Sequence, residues 1–277
     1  MTRVMIKVLA AMVLAALFGA CSVFGTTGLP NDPVRAHPLP PDQLVLEITY
    51  GVGGLAPSEL YATTAPWLLA YGDGRLIMAE EQNYQDGWHR GYRQTMIDPE
   101  LVAGLAERAR AAGLDRELDF GSPRVTDAGS LSLRLHGTGE PMRHQAYAFG
   151  PEMEKGMSPW LRGRRDLLRS LIDNAESLAG DAAWQPYRPE LIFVYEQRRH
   201  GRDKGTAEPW PGPDPDRFLT EGSKSFRGTA CGELRGPEAE QVYQASLRNR
   251  FGQWTVAGEP RKLLINALPG SRAACGQ

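Results

Sequence analysis

The sequence predicts an α+β fold in which antiparallel hairpins carry three amphipathic helices packed on their sheet faces. Three observations predict it. Short β-branched and apolar runs occur in pairs around Gly-rich turns, three segments share a proline-initiated helix start, and each helix falls between groups of strands rather than between single strands.

Leu44-Val45-Leu46-Glu47-Ile48-Thr49-Tyr50 reads as the first strand of this body. Trp67-Leu68-Leu69-Ala70-Tyr71 and Arg75-Leu76-Ile77-Met78-Ala79 then flank Gly72-Asp73-Gly74. Asp-Gly between two apolar runs predicts a hairpin with a type I′ turn, whose two central residues both need positive φ. Residues 92–97 supply a further strand that leads into a helix. Asp98-Pro99-Glu100, Ser158-Pro159-Trp160 and Gly236-Pro237-Glu238 each set a capping residue before Pro at the first helical position, where the missing N–H costs nothing. The first helix gathers Leu101, Val102, Leu105, Ala109 and Ala112 on one face and stops at Gly113. The second gathers Leu161, Leu168, Leu171, Ile172, Ala175 and Leu178, ends near Gly180, and is expected to turn Arg162, Arg164, Arg165 and Arg169 outward. The third gathers Ala239, Val242, Tyr243 and Leu247.

Between the first two helices, Leu131-Ser132-Leu133-Arg134-Leu135-His136 alternates strictly, and Gly137-Thr138-Gly139 turns the chain into residues 142–149, a second hairpin with one buried face. Leu191-Ile192-Phe193-Val194-Tyr195 is apolar on both sides and reads as a central strand. Residues 201–222 form a loop, followed by strands at Trp254-Thr255-Val256-Ala257 and Leu263-Leu264-Ile265. Two similar modules result, residues 43–180 and 187–277, in the pattern of a distant internal duplication.

An export segment precedes this body. Arg3 and Lys7 are a short positive region, residues 8–18 an unbroken apolar run, and Gly19-Ala20 the small residues before a cleavage site, so residues 1–20 read as a signal peptide. Leu17-Phe18-Gly19-Ala20-Cys21 resembles the bacterial lipobox, with Phe18 where a smaller aliphatic residue is usual. The resemblance implies lipid attachment at Cys21 through a diacylglyceryl thioether, with palmitate-class acyl chains, and a mature lipoprotein on the extracytoplasmic side of the cell membrane. An ordinary secretory signal cut nearby is the alternative. Residues 21–42 read as a tether, since Gly25, Gly28, Pro30, Pro33, Pro38, Pro40 and Pro41 exclude regular structure. Extended at about 3.1 Å per residue, it would hold the body some tens of ångströms from the bilayer.

Removal of the signal leaves 257 residues and moves the formal charge from -2 to -4. A weakly acidic chain has no electrostatic footprint for nucleic acid and no polybasic patch for anionic lipid. No later run approaches the ~20 apolar residues of a membrane span. With Cys21 assigned to lipid, Cys231 and Cys275 remain, and an oxidising compartment predicts a bridge between them. It would close a loop of 45 residues and contribute on the order of 4 kcal/mol in the chain-entropy view.

Motifs of the common hydrolases and nucleotide-binding enzymes do not occur: no His-Glu-x-x-His, Gly-x-Ser-x-Gly, phosphate-binding loop or Ser-x-x-Lys. His136 and His144 flank the second hairpin and could face one another, the arrangement a transition metal would take, although solvated histidines at a hairpin end fit the pattern too. Glu80-Glu81 and Asp214/Asp216 are the acid pairs to test for glycoside hydrolysis, against the simpler reading of hydrated loop acids. Asp73 and Asp127 read as turn formers. The arginines from Arg162 to Arg169 read as a basic helix face, solvated or else meeting acidic polymer or lipid headgroups. Trp210 stands among prolines in Glu208-Pro209-Trp210-Pro211-Gly212-Pro213, and there it either contacts a sugar or extended peptide or folds back over the core. No catalytic residue, metal ligand or cofactor is assigned.

Pro66-Trp67, Tyr71-Gly72-Asp73-Gly74-Arg75, Val125-Thr126-Asp127-Ala128 and Leu268-Pro269-Gly270 before Cys275 resemble a group of uncharacterised exported proteins and lipoproteins of actinobacterial type, across most of residues 44–277. That resemblance implies export and a disulfide and carries no activity. The first module is also similar to small protease-inhibitor domains in its Gly53-Gly54 and Asp73-Gly74 elements. The expectation is a membrane-anchored binding or envelope-interaction module, non-catalytic, whose partner is a protein or a cell-wall glycan. An envelope hydrolase with a dispersed active site and a protease inhibitor are the alternatives.

Overall fold

The computed structural model describes residues 29, 36–51, 53, 66–80, 91–137, 140–197, 206–221, 230–249, 251–267 and 275. Cys21 with the expected signal, Gly54, Glu81 and residues 268–270 lie outside them.

Two sheets organise the described chain. The first is built from β1 (Leu44–Gly51), β2 (Leu68–Tyr71), β3 (Arg75–Ala79), β4 (Tyr92–Met96), β5 (Ser130–Leu135), β6 (Met142–Tyr147) and β7 (Gln185–Pro186), in the order β6-β5-β1-β2-β3-β4-β7. The second is built from β8 (Leu191–Gln197), β9 (Glu208–Pro209), β10 (Thr220–Glu221), β11 (Ala230–Arg235), β12 (Gln253–Val256) and β13 (Glu259–Asn266), in the order β10-β11-β8-β13-β12-β9. Of the pairings described, only β9 with β12 is parallel. With α1 (Pro99–Ala111), α2 (Pro159–Ser177) and α3 (Gly236–Ser246), the chain has the expected α+β architecture.

Period-2 alternation decides the layers. Leu68, Ala70, Leu76 and Met78 point into a cluster with α1 and α2. Leu69, Ile77 and Ala79 point the opposite way, into a cluster shared with Ile192, Val194, Leu263 and Ile265 of the second sheet and with Ala239, Val242 and Tyr243 of α3. Strands β2 and β3 are therefore buried on both faces, and one core joins the two sheets. The outer face of the second sheet carries a third cluster, Phe193, Tyr195, Cys231 and Leu264, with Cys275 bridged to Cys231 at a Cα separation of 5.5 Å.

The helix starts follow their sequence pattern. Asp98 accepts from the Glu100 N–H at 2.9 Å, and Ser158 from the Leu161 N–H at 3.3 Å. Helix α3 begins at Gly236 without a side-chain cap. At the end of α1, Gly113 takes a left-handed φ of 83°, so that the Leu114 N–H reaches back to Ala109 O. Leu101 is exposed, a correction to the expected apolar face, because the buried ridge runs through Val102, Leu105, Ala106 and Ala109.

Two local expectations change. The β2–β3 hairpin is present, but its turn is not type I′: Ala70 pairs with Leu76, and only Gly74 of the connection has positive φ, 87°. The Gly74 N–H bonds Tyr71 O while Asp73 Oδ1 accepts from the Arg75 N–H, the layout of a three-residue loop with a bulge at glycine. A Cβ at Gly74 would lie 2.1 Å from Ile97 O, so the residue that follows β4 also requires glycine there. The second change concerns the tether, part of which packs on the body. Leu29 joins the α1/α2 core cluster, 6% exposed, and its N–H donates to Ser170 Oγ of α2 at 3.1 Å. His37 lies 3.7 Å from Glu107 of α1, and the Gly72 and Asp73 amides donate to Gln43 O and Pro41 O. Proline excludes helix and strand there, yet its carbonyls remain free to accept from the hairpin.

The largest correction is Arg165, expected outside and found fully buried, 0% exposed. Its Nε donates to Phe120 O (2.8 Å), Nη1 to Ala148 O (3.0 Å) and Glu154 Oε1 (3.2 Å), and Nη2 to Gly121 O (3.2 Å) and Tyr147 O (2.6 Å). All five guanidinium N–H groups are thereby used. Glu154 takes a second, bidentate pair from Arg169 at 2.8 and 3.0 Å. Arg165→Ala leaves four buried carbonyls without this donor, each costing about 1–3 kcal/mol when unsatisfied, so the variant should lose at least about 3 kcal/mol in urea denaturation. Arg162→Ala on the exposed side should change stability by less than about 0.5 kcal/mol. Equal small effects would contradict the burial.

Candidate functional site

His144, Asp214, Asp216, Glu154 and Glu196, which could carry acid-base or metal chemistry, are held by internal partners. In β6, His144 stands opposite Leu133 and faces the helices, so it does not meet His136, which lies one residue beyond the β5 face on the opposite parity; the expected facing pair does not form. A carbonyl can only accept, so His144 Nε2–H donates to Leu114 O at 2.8 Å, and the ring lies edge-on to Phe120 at 5.5 Å. Burial pushes the imidazole pKa down, and the bond to Leu114 restores part of the shift. Asp214 caps a short turn by accepting from the Asp216 N–H, and Asp216 pairs with Arg261 at 2.6 Å. Arg261 also grips Glu196 in a bidentate pair at 2.6 and 2.8 Å. Burial alone would raise the Glu154 carboxyl, but the hydrogen bonds from Arg169 and Arg165 outweigh it and hold the pKa below the usual range. Among the described residues, no group of three or more His, Cys, Asp or Glu is placed to hold a metal ion.

Trp210 is half-buried. Its indole N–H donates to Pro213 O at 2.7 Å, and the ring meets Trp254 edge-on at 5.3 Å against the shared core. A Cβ on Gly212 would lie 2.7 Å from Val242 Cγ2 and 3.0 Å from the indole, which makes the proline loop a close cover over α3.

A different place has unspent hydrogen-bonding capacity. Glu47, Tyr71 and Arg75 project from β1, β2 and β3 on the face away from α1 and α2, with Leu69 and Ile77 between them. Glu47 is 8% exposed, and among the described residues neither its Oε2 nor the buried Arg75 Nε has a hydrogen-bond partner, although Arg75 Nε forms a long ion pair with Asp73. The Arg75 guanidinium lies 4.2 Å over the Tyr71 ring and 3.9 Å from Asp73. Burial raises the Tyr71 pKa; Arg75 opposes the rise, and the charges of Glu47 and Asp73 add to it. Behind them Tyr187 stacks edge-on with Tyr92 and Tyr243, and burial pushes Tyr187 up to about 12. The Tyr71 and Tyr187 phenols stay neutral at physiological pH. The seam can accept a proton donor at Glu47, donate from Arg75 and present phenol edges. The sequence carried one signal for it: a glutamate in the middle of an otherwise apolar strand.

Comparison with known protein families and with curated proteins gives no match.

Stability should depend on pH through His144 and Glu154. The folded His144 pKa lies below its ordinary 6.5, so below pH 6.5 the unfolded chain binds more protons, and stability, full above that pH, should fall as the pH drops. Glu154, lowered from 4.5, adds a further loss as the pH falls below 4.5. Urea midpoints across this range should show both phases, and His144→Gln should flatten the first; a profile level from pH 7 to 5 would contradict the buried neutral imidazole.

Proposed function

We propose that the chain is an exported lipoprotein, held through Cys21 on the extracytoplasmic side of the cell membrane, and that its body is a non-catalytic binding module of the envelope. The single observation that carries the exported reading is the bridge between Cys231 and Cys275, of a kind that persists in oxidising compartments. It stands beside a segment with the order of a lipoprotein signal, and no helix among the described residues is long and apolar enough to cross a membrane. Binding is supported by the seam at Glu47, Tyr71 and Arg75. Its carboxylate oxygen and guanidinium N–H, which have no hydrogen-bond partner among the described residues, suit a hydroxyl-rich partner such as a cell-wall glycan, because a sugar hydroxyl both donates and accepts.

Acylation needs the Cys21 thiol. Cys21→Ala protein should leave the membrane fraction or accumulate with its signal attached; a variant that partitions fully into detergent at the normal mature mass would contradict the anchor. For the binding surface, Glu47→Gln should reduce retention on insoluble cell-wall glycan about tenfold, the equivalent of a charged hydrogen bond of about 1.4 kcal/mol, without lowering the melting temperature. Unchanged retention would remove the seam from the proposal.

A further inference from the structure

The outward ridge of α2 carries Gly163, Ser170 and Ser177, seven residues apart and so on one side of the helix. Leu29 is fastened to this ridge at Ser170. Between Leu29 and Cys21 stand only residues 22–28. At a maximum of roughly 3.6 Å per residue, that segment reaches no more than about 30 Å. An anchor at Cys21 therefore keeps the bilayer on the helix side of the molecule, not at the distance a free tether would allow.

The surface at the start of α2 has the composition of a membrane interface. Trp160 is 53% exposed and Met153, on the short 3-10 turn Pro151–Glu154, is 39% exposed. Half-buried Met157 and Leu161 pack around Gly121, where a Cβ would touch both side chains. Lys155 and Arg162 are exposed, and the Arg164 guanidinium lies 3.8 Å over the Trp160 ring. Arg164 Nη1 also donates to Asp119 O at 3.0 Å, and Asp119, Glu152 and the partly exposed Asp166 are acids in the adjoining segments. Tryptophan prefers the headgroup level, and arginine and lysine extend to lipid phosphates while their stems stay apolar. Ser170 lies ten residues along α2 from Trp160, about 15 Å, so the anchor segment and this patch reach the same membrane surface.

We propose that the body rests on the bilayer with the start of α2 in the headgroup layer, Trp160 and Met153 inserted and Lys155, Arg162 and Arg164 on lipid phosphates. This orientation rests on the Cys21 anchor. It places the seam at Glu47, on the opposite face of the first sheet, on the side turned away from the membrane.

Site-directed spin labelling tests it in the full lipidated protein. Cys21 is acylated and Cys231 and Cys275 are bridged, so an introduced cysteine is the only free thiol. Gly163→Cys suits the purpose, since a Cβ there meets nothing within 4 Å. Glu259→Cys, exposed on the second sheet, is the control. In vesicles of phosphatidylethanolamine and phosphatidylglycerol, the nitroxide at 163 should lose accessibility to an aqueous nickel chelate and gain accessibility to oxygen, while that at 259 stays nickel-accessible. Adding Trp160→Ala, Arg162→Glu and Arg164→Glu should return the label at 163 to water while the protein stays on the vesicle. Vesicle-bound protein with both labels equally water-exposed would overturn the orientation, leave the anchor standing and assign the patch to a soluble partner. Protein recovered free of vesicles would overturn both.

Discussion

A single buried guanidinium fixes the helix layer to the first sheet. Arg165 satisfies carbonyls from two backbone segments, Phe120 and Gly121 on one side, Tyr147 and Ala148 on the other, and closes on the carboxylate of Glu154. Gly121 and Ala148 have left-handed φ of 63° and 48°, the sharp bends that bring these segments to one point. Removing a charge from water costs several kcal/mol, which only a full set of partners repays. The arrangement is therefore more a device for uniqueness than a source of net stability. No hydrophobic side chain could take five directed bonds, and a shifted α2 would leave several groups unsatisfied at once.

The surfaces depend on that registration. Because α2 is held by its inward side at Arg165, its outward ridge stands at a fixed height, and Leu29 can be fastened there by one backbone hydrogen bond and a small apolar contact. The opposite face of the first sheet is equally constrained, since Leu69, Ile77 and Ala79 share a core with α3 and the second sheet. On that face, Glu47 Oε2 and Arg75 Nε are buried without a hydrogen-bond partner among the described residues. Such atoms are costly in a folded protein unless a partner supplies the missing bond, and this is the support for the proposed binding surface. The disulfide closes the far side, over the smallest of the three clusters, where apolar area is scarcest.

Much of this was legible in the residues, and the rest had physical reasons not to be. Hairpins, proline-led helices and the two-sided strand β8 follow from local chemistry that reports itself within a few positions. The cysteine pair followed from compartment and count. Arg165 was misread because charge was weighed before spacing: Leu161, Arg165, Leu168 and Ile172 recur at four, three and four residues, so the arginine sits on the apolar ridge. Its partners are carbonyls, which no sequence pattern displays. Strand β11, which carries Cys231, escaped because Gly232 and Glu233 interrupt its apolar run; a Cβ at Gly232 would lie 2.5 Å from Phe218, and this packing requires the glycine. The docking of Leu29 was hidden for the same reason as Arg165, since one leucine in a proline-rich stretch has no periodicity to reveal its contact.

The most direct measurement concerns the Arg165 guanidinium itself. Its Nε–H is buried and bonded to Phe120 O, so in a nitrogen-15 NMR spectrum it should give a resolved resonance that persists in D2O long after the Nε–H signals of exposed arginines such as Arg162 have vanished. An Arg165 Nε–H that exchanges as fast as that of Arg162 would mean that the side chain lies in solvent, and the registration of α2 on the first sheet would lose its cause.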